Sequence, residues 1–139
     1  MDIRAFQKGD ETAVVALWEG CGLTRPWNDP RKDIARKLQV QPELFLVGLV
    51  QGDLVASVMA GYEGHRGWVN YLAVAPAHRR KGLGRRLMEE VERRLLERGC
   101  PKLNMQVRSS NTEAMAFYRR LGYVSDGAVA LGKRLIPDA

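Results

Sequence analysis

The stretch that most constrains this chain runs from Trp68 to Val107. Trp68 to Val74 is an apolar run of strand length, and Pro76, which has no backbone N–H to donate, stops it. The basic segment Ala77 to Gly84 follows and opens a long helix with the apolar stripe Leu83, Leu87, Met88, Val91 and Leu95. Gly99 and Pro101 close that helix, and Leu103 to Val107 reads as the next strand. Strand, helix and strand in this order form a crossover, which makes the two strands parallel. Upstream, Leu44 to Val50 and Leu54 to Tyr62 flank a hairpin turn, Gln51-Gly52-Asp53, and a turn through Gly64 and Gly67 leads into Trp68. Hairpins make antiparallel pairs. The expected fold class is therefore α/β with a mixed antiparallel and parallel central sheet.

The remaining segments complete the order β-α-α-β-β-β-α-β-α-β-β. Asp2 to Phe6 is a short first strand. Asp10 is a plausible N-cap for a helix to Cys21 that carries Val14, Leu17 and Trp18 at helical spacing. Asp29-Pro30 offers an N-cap followed by proline at the first helical position, opening a helix to Leu38. Asn111 to Leu121 is a helix with Ala114, Phe117, Tyr118 and Leu121 on one face, ended by Gly122. Two final strands are expected near Tyr123 to Ser125 and Val129 to Leu135. With 139 residues, 45% of them hydrophobic, the chain suits one domain, 1–139. Cys21 and Cys100 stand far apart without paired spacing and read as free thiols in a reducing compartment. No signal-like apolar region follows Met1, and no run approaches the ~18 apolar residues of a membrane helix. A cytoplasmic protein with no membrane partner is expected.

The formal net charge is +6, and Arg79, Arg80, Lys81, Arg85 and Arg86 fall within eight residues that hold no acid. The glycine pair of Arg79-Arg80-Lys81-Gly82-Leu83-Gly84 lies between a strand and a helix start. Such a position presents unpaired backbone N–H groups and a positive helix end to an anion. Glycines let phosphate oxygens approach the backbone with no Cβ in the way. The loop is not GxxxxGK[ST], and Leu87 stands where a dinucleotide fingerprint needs its third glycine. A nucleic-acid-binding domain would spread its cations along one face with aromatics between them, so nucleic acid is not expected as a partner. Two histidines make no visible metal site.

Leu72-Ala73-Val74-Ala75-Pro76-Ala77-His78-Arg79-Arg80-Lys81-Gly82-Leu83-Gly84 resembles motif A of the GNAT acetyltransferases, [Q/R]-x-x-G-x-[G/A] after a short apolar strand. Asn111, Ala114, Phe117-Tyr118 and Leu121-Gly122-Tyr123 resemble their N-x-x-A-x-x-F-Y-x-x-L-G-[F/Y] motif. The two motifs occur in the right order, and the element order fits nearly the whole chain. The strings Arg25 to Pro30 and Gly61 to Gly67 resemble a narrower group of small bacterial acetyltransferases. The resemblance implies the GNAT fold, with strands four and five splayed apart, about four flanking helices and acetyl-CoA in the gap. It implies that backbone N–H groups from Arg80 to Arg85 hold the pyrophosphate, flanked by Arg79, Arg80 and Lys81 and shaped by Gly82, Leu83 and Gly84. Backbone of Leu72, Ala73 and Val74 would line the pantetheine arm, with the Leu72 N–H facing the thioester carbonyl. Asn111 would bond the arm or neighbouring backbone. Tyr118 would donate a hydrogen bond to the departing thiolate, although its face, shared with Phe117 and Leu121, also suits a core aromatic.

Many members carry a glutamate two residues before the Leu72 position, and here it is Asn70. Asparagine can hold a water but cannot take a proton at neutral pH. Glu63, His65 and Asp29 are the alternatives for a base. Otherwise the amine arrives neutral, as roughly 14% of an α-amine is at pH 7, against about 0.04% of a lysine. That ~3.5 kcal/mol difference favours an acceptor with a low-pKa amine, either a small molecule or a peptide. The expected acceptor pocket uses Trp27, Asn28, Tyr62, Glu63, Asn70 and Tyr71, and a homodimer is a further expected association. A non-catalytic acyl-CoA sensor on the same fold is the rival reading, kept open by Asn70 and opposed by Tyr118.

Overall fold

The computed structural model describes residues 1–138. Five strands form one sheet: β1 (Asp2–Ala5), β2 (Phe45–Val50), β3 (Asp53–Tyr62), β4 (Gly67–Val74) and β5 (Leu103–Met105), lying side by side in that order. The β1–β2, β2–β3 and β3–β4 pairs are antiparallel, and β4–β5 is parallel. Four α-helices flank the sheet: α1 (Glu11–Gly20), α2 (Pro30–Lys37), α3 (Leu83–Glu97) and α4 (Thr112–Arg120).

Period-two alternation along β2 divides the core between the two faces. Leu46 joins Val58, Ala60, Leu87, Met88 and Val91 beneath α3. Phe45 and Val47 join Trp18, Ile34 and Met59 beneath α1 and α2. An aromatic column runs through the second layer: Phe6 stacks on Phe45 at 4.4 Å, Trp18 lies 6.2 Å from Phe45, and Tyr71 stacks on Trp18 at 3.7 Å. α2 starts as its sequence requires. Asp29 accepts from the N–H groups of Arg31 and Lys32 at 2.9 and 3.4 Å, and Pro30 holds the first helical position.

Two irregularities in β4 shape everything downstream. The first is a bulge: Ser57 pairs with Ala73 and Met59 with Asn70, so Tyr71 and Leu72 together stand opposite Val58. Tyr71 takes the left-handed conformation, with φ of 54°, which a non-glycine residue adopts only when its surroundings hold it there. The second is an early divergence from β5. Only Gly67, Trp68 and Val69 pair with it, at Leu103, Asn104 and Met105. β4 then continues to Val74 with no neighbour on that side.

Three expectations need correction. The strand placed at Leu103 to Val107 ends at Met105, because β5 leaves β4 there and loses its ladder. Asp10 does not cap α1 with its side chain. A short 3₁₀ turn, Lys8–Asp10, precedes the helix, and the Asp10 carboxylate turns back to accept from the Gln7 N–H at 2.8 Å and from Arg4 at 2.7 and 3.0 Å. Arg4 holds that carboxyl below its usual range. The two final strands do not form: residues 123–138 are irregular. A strand needs an edge to pair with, and β5 offers three residues. The segment is tied by polar contacts instead. Asp126 takes Lys102 and Asn104 at 2.7 and 3.0 Å, and Asp138 takes Arg36, Arg134 and the Asp29 N–H at 2.6, 2.8 and 2.7 Å. Val124, Val129, Leu131 and Leu135 are left exposed.

Candidate active site

A cleft of about 1020 Å³ opens where β4 runs on without β5. Its walls are the end of β4, the loop and first turn of α3, and one face of α4. Of the residues expected to hold the cofactor, Leu72, Ala73, Val74, Arg79, Arg80, Gly82, Leu83, Gly84, Arg85, Asn111 and Tyr118 all line it. Lys81 does not line it and is exposed.

The β4 wall presents backbone. The Ala75 N–H bonds Val55 at 2.8 Å, and Ala73 pairs with Ser57. Antiparallel alternation then turns the polar groups of Leu72 and Val74 away from β3, toward the cleft. The Val74 carbonyl already accepts from Arg79 Nε at 3.0 Å and from the Cys21 thiol at 3.4 Å. Cys21 is thus a cleft residue that sequence reasoning passed over, whereas Cys100 is buried near Gly67, where an added Cβ would stand 2.9 Å from its sulfur.

The loop before α3 carries positive φ at Arg80 (63°) and Gly82 (77°) on either side of Lys81. Such alternation bends successive N–H groups into a concavity suited to an anion. The first amide of the helix to find a backbone partner is that of Arg86, bonded to Gly82 at 3.1 Å. Among the described residues, the amides from Arg80 to Arg85 have none. Nothing lies within 4 Å of a Cβ placed on Gly82, so the space at that position is open. At Gly84 a Cβ would meet the Phe117 ring at 3.1 Å. The second glycine therefore lets α4 close on the start of α3.

Phe117 and Tyr118 divide their work. Both line the cleft, but Phe117 also seals the α3–α4 contact, while the Tyr118 ring stands edge-on to Phe117 and Tyr123, at 5.1 and 5.8 Å between centroids. Burial alone lifts the Tyr118 phenol to about 12. The end of α4 holds it in place: the Tyr118 carbonyl accepts from the N–H groups of Leu121 and Tyr123, both at 3.0 Å, across Gly122 at φ 97°. Asn111 caps α4, its Oδ1 accepting from the Ala114 N–H at 3.1 Å. His78, Glu113 and Arg120 also line the cleft. Glu113 and Arg120 stand four and three residues from Phe117, a helical spacing available as a signal; for His78, only its neighbourhood to the loop was.

The six residues expected at the acceptor do not form one cluster. Tyr62 and Glu63 sit at the hairpin end of β4, where Tyr62 pairs with Gly67, roughly 16 Å of strand from Leu72. The Glu63 carboxylate caps that turn, accepting from the N–H groups of His65 and Arg66, which draw its pKa down. The other four lie nearer the bulge or α2. Asn70 is exposed just before the bulge. The Tyr71 hydroxyl donates to Asp33 at 2.7 Å, and Asn28 Nδ2 donates to the same carboxylate oxygen at 2.9 Å. Burial, then the Asp33 carboxylate, push the Tyr71 phenol up. Asn28 Oδ1 accepts from Arg134 at 2.6 Å. Trp27 is 58% exposed, and Arg108, just beyond β5, lies over its ring at 6.0 Å.

Residues 12–123 match the model of the acetyltransferase (GNAT) family. The chain is 51% identical over 138 residues to an acetyltransferase of Yersinia pestis, covering 99% of this chain and 98% of that one. Among solved structures it is similar to the ribosomal-protein-S18-alanine N-acetyltransferase of Escherichia coli, with a TM-score of 0.72 and 26% identity, over 87% of this chain and 76% of that one. It shares the fold of AAC(6')-Iy in complex with the bisubstrate analogue CoA-S-monomethyl-acetylneamine, with a TM-score of 0.78 and 18% identity, over 97% and 98% of the two chains.

Proposed function

The chain belongs to the GNAT acetyltransferase family, and from that premise we propose that it transfers an acetyl group from acetyl-CoA to a primary amine by direct attack in a ternary complex. The observation that carries the reading is the run of unpartnered amides from Arg80 to Arg85, set in a cleft that β4 opens by leaving β5. The concave loop and the open space over Gly82 fit a diphosphate. Acetyl-CoA supplies the activated acyl group. The amides of the loop hold its diphosphate, and Arg85 and Arg80 add charge at the rim. Val74 and Leu72 offer backbone to the pantetheine arm, with Arg79 or Cys21 yielding the Val74 carbonyl where the arm needs it. The Leu72 N–H stabilises negative charge on the carbonyl oxygen, a role worth roughly 2.7–4 kcal/mol at comparable sites.

Tyr118 acts as a hydrogen-bond donor to the leaving sulfur. Burial lifts the phenol to about 12, above the ordinary range of a thiol near 8.5, so full proton transfer to the sulfur is uphill. Tyr118 therefore keeps its proton until late and stabilises the thiolate by donation. Glu63 and His65 sit in the turn at the far end of β4, the Asp29 carboxylate caps α2, and Asn70 holds no charge, so the proposed acceptor is an amine that arrives neutral. A low-pKa amine, such as the α-amine of a peptide or a small-molecule amine, is the proposed class. The E. coli N-acetyltransferase of ribosomal-protein-S18 alanine supports a peptide acceptor of this kind. The chain acts as one domain in the cytoplasm, needs neither nucleic acid nor membrane, and a homodimer is its proposed assembly. Among the described residues, no helix is long and apolar enough to cross a membrane.

Calorimetry with CoA, followed by an amine panel read by release of free thiol, tests the reading. Heat with CoA and thiol release with α-amines in preference to lysine side chains are expected. No heat with CoA defeats the reading, and binding without thiol release for any amine leaves the sensor in its place.

A further inference from the structure

Ser57, on β3, is the only fully buried polar residue in the core among the described residues. Its neighbours in sequence, Ala56 and Val58, are equally buried and apolar, so burial alone gives no reason for a hydroxyl there. The hydroxyl has two partners. The Trp18 indole N–H, 0% exposed, donates to Ser57 Oγ at 2.9 Å, and Ser57 Oγ lies 3.0 Å from the Tyr71 carbonyl. An indole N–H can only donate, so it occupies a lone pair of the hydroxyl and leaves the hydroxyl proton for the Tyr71 oxygen. The direction of the relay is fixed: Trp18 to Ser57 to Tyr71.

Tyr71 is the left-handed residue of the bulge. Its carbonyl and the Leu72 N–H belong to one planar trans peptide unit and point in opposite directions. Whatever fixes the carbonyl on the Ser57 side aims the Leu72 N–H at the cleft. The Tyr71 side chain is held as well, by its stack on Trp18 and its bond to Asp33. We infer that Ser57, oriented by Trp18, is a positioning residue that locks the Tyr71–Leu72 peptide so that the Leu72 N–H stays aimed where the acyl oxygen is proposed to lie. The inference rests on the proposed role of that amide.

The test compares the Leu72 amide proton resonance in isotopically labelled protein saturated with acetyl-CoA and with CoA. The wild-type resonance moves downfield with the acetyl group, and Ser57→Ala largely abolishes that difference. Ser57→Ala also lowers kcat about tenfold while the acetyl-CoA Kd stays within about twofold, as a loosened oxyanion donor loses part of its ~10²–10³ effect. Ser57→Thr, which keeps the hydroxyl, restores the resonance difference. Trp18→Phe keeps an aromatic ring against Tyr71 and removes the N–H, and it carries the test if Ser57→Ala does not fold. A wild-type difference that survives unchanged in Ser57→Ala, or in Trp18→Phe, overturns the inference alone. A wild-type Leu72 amide indifferent to the acetyl group overturns the proposed role of that amide, and this inference with it.

Discussion

The two flanks of the β4 bulge differ in how their polar groups are engaged. On the cleft side, the amides from Arg80 to Arg85 lack backbone partners, and burial rather than a hydrogen bond sets the Tyr118 phenol. On the α2 side, polar side chains engage one another: Tyr71 and Asn28 on Asp33, Arg134 on Asn28, Arg36 and Arg134 on Asp138. One flank leaves its backbone donors open, and the other holds its polar groups in fixed pairs. Unpartnered donors are tolerable where water or a ligand can reach them, whereas a buried one on the α2 side would cost roughly 1–3 kcal/mol.

The largest expected effect lies on the cleft side. Tyr118→Phe is expected to lower kcat by about 10²–10³, the usual range for losing one hydrogen-bond donor to developing negative charge, with calorimetric acetyl-CoA affinity nearly unchanged. Equal losses in affinity and kcat would make Tyr118 a packing residue and blur the contrast between the flanks. Gly82→Val comes next. At φ 77° a β-branched side chain strains the loop, and ~1–2 kcal/mol of strain weakens acetyl-CoA binding about five- to thirtyfold. Tm in the absence of ligand should fall by no more than the few degrees that this strain allows, since the new Cβ meets nothing within 4 Å and adds no clash.

Asp33→Asn probes the supporting flank. It weakens the acceptance of two hydrogen bonds and should reduce stability by about 1–2 kcal/mol in urea denaturation, with the acetyl-CoA Kd unmoved. A Kd change larger than the stability change would show that the α2 flank binds cofactor directly. The smallest effect concerns pH. Burial favours the neutral phenol of Tyr118, so the donor stays protonated until pH approaches about 12. Between pH 7 and 10, kcat should rise or stay flat as the acceptor amine deprotonates, with no alkaline fall. An alkaline fall in that range that vanishes in Tyr118→Phe would place the phenol lower and give it a larger share of proton transfer.

Both glycines of the loop were legible from their neighbours, since a basic segment between a strand and a helix start needs no distant information. Gly82 supplies a positive φ and Gly84 a close approach, the two things glycine does that other residues cannot. Arg80 shows where that logic stops: it holds φ 63° without being glycine, so the concavity extends beyond what residue type announces. The acceptor side was read less well. Glu63 looked like a free carboxylate, but the turn made by its own next residues engages it. The strand expected at Val129 to Leu135 did not form, because a local preference for extended backbone says nothing of whether an edge exists to pair with.

What the chain order itself determined was the mixed sheet, the α2 cap at Asp29-Pro30, the loop that opens α3 and the helix that carries Tyr118. Each depends on residues within a few positions of one another, and periodicity and capping act over that range. The tertiary structure alone decided the bulge at Tyr71 and Leu72, its support by Ser57 and Trp18, and the point at which β5 leaves β4. Trp18 and Ser57 are 39 residues apart, and Ser57 and Tyr71 are 14 apart. Such contacts exist only once helix and sheet have packed, so the direction in which a single backbone amide points could not be read from a linear pattern.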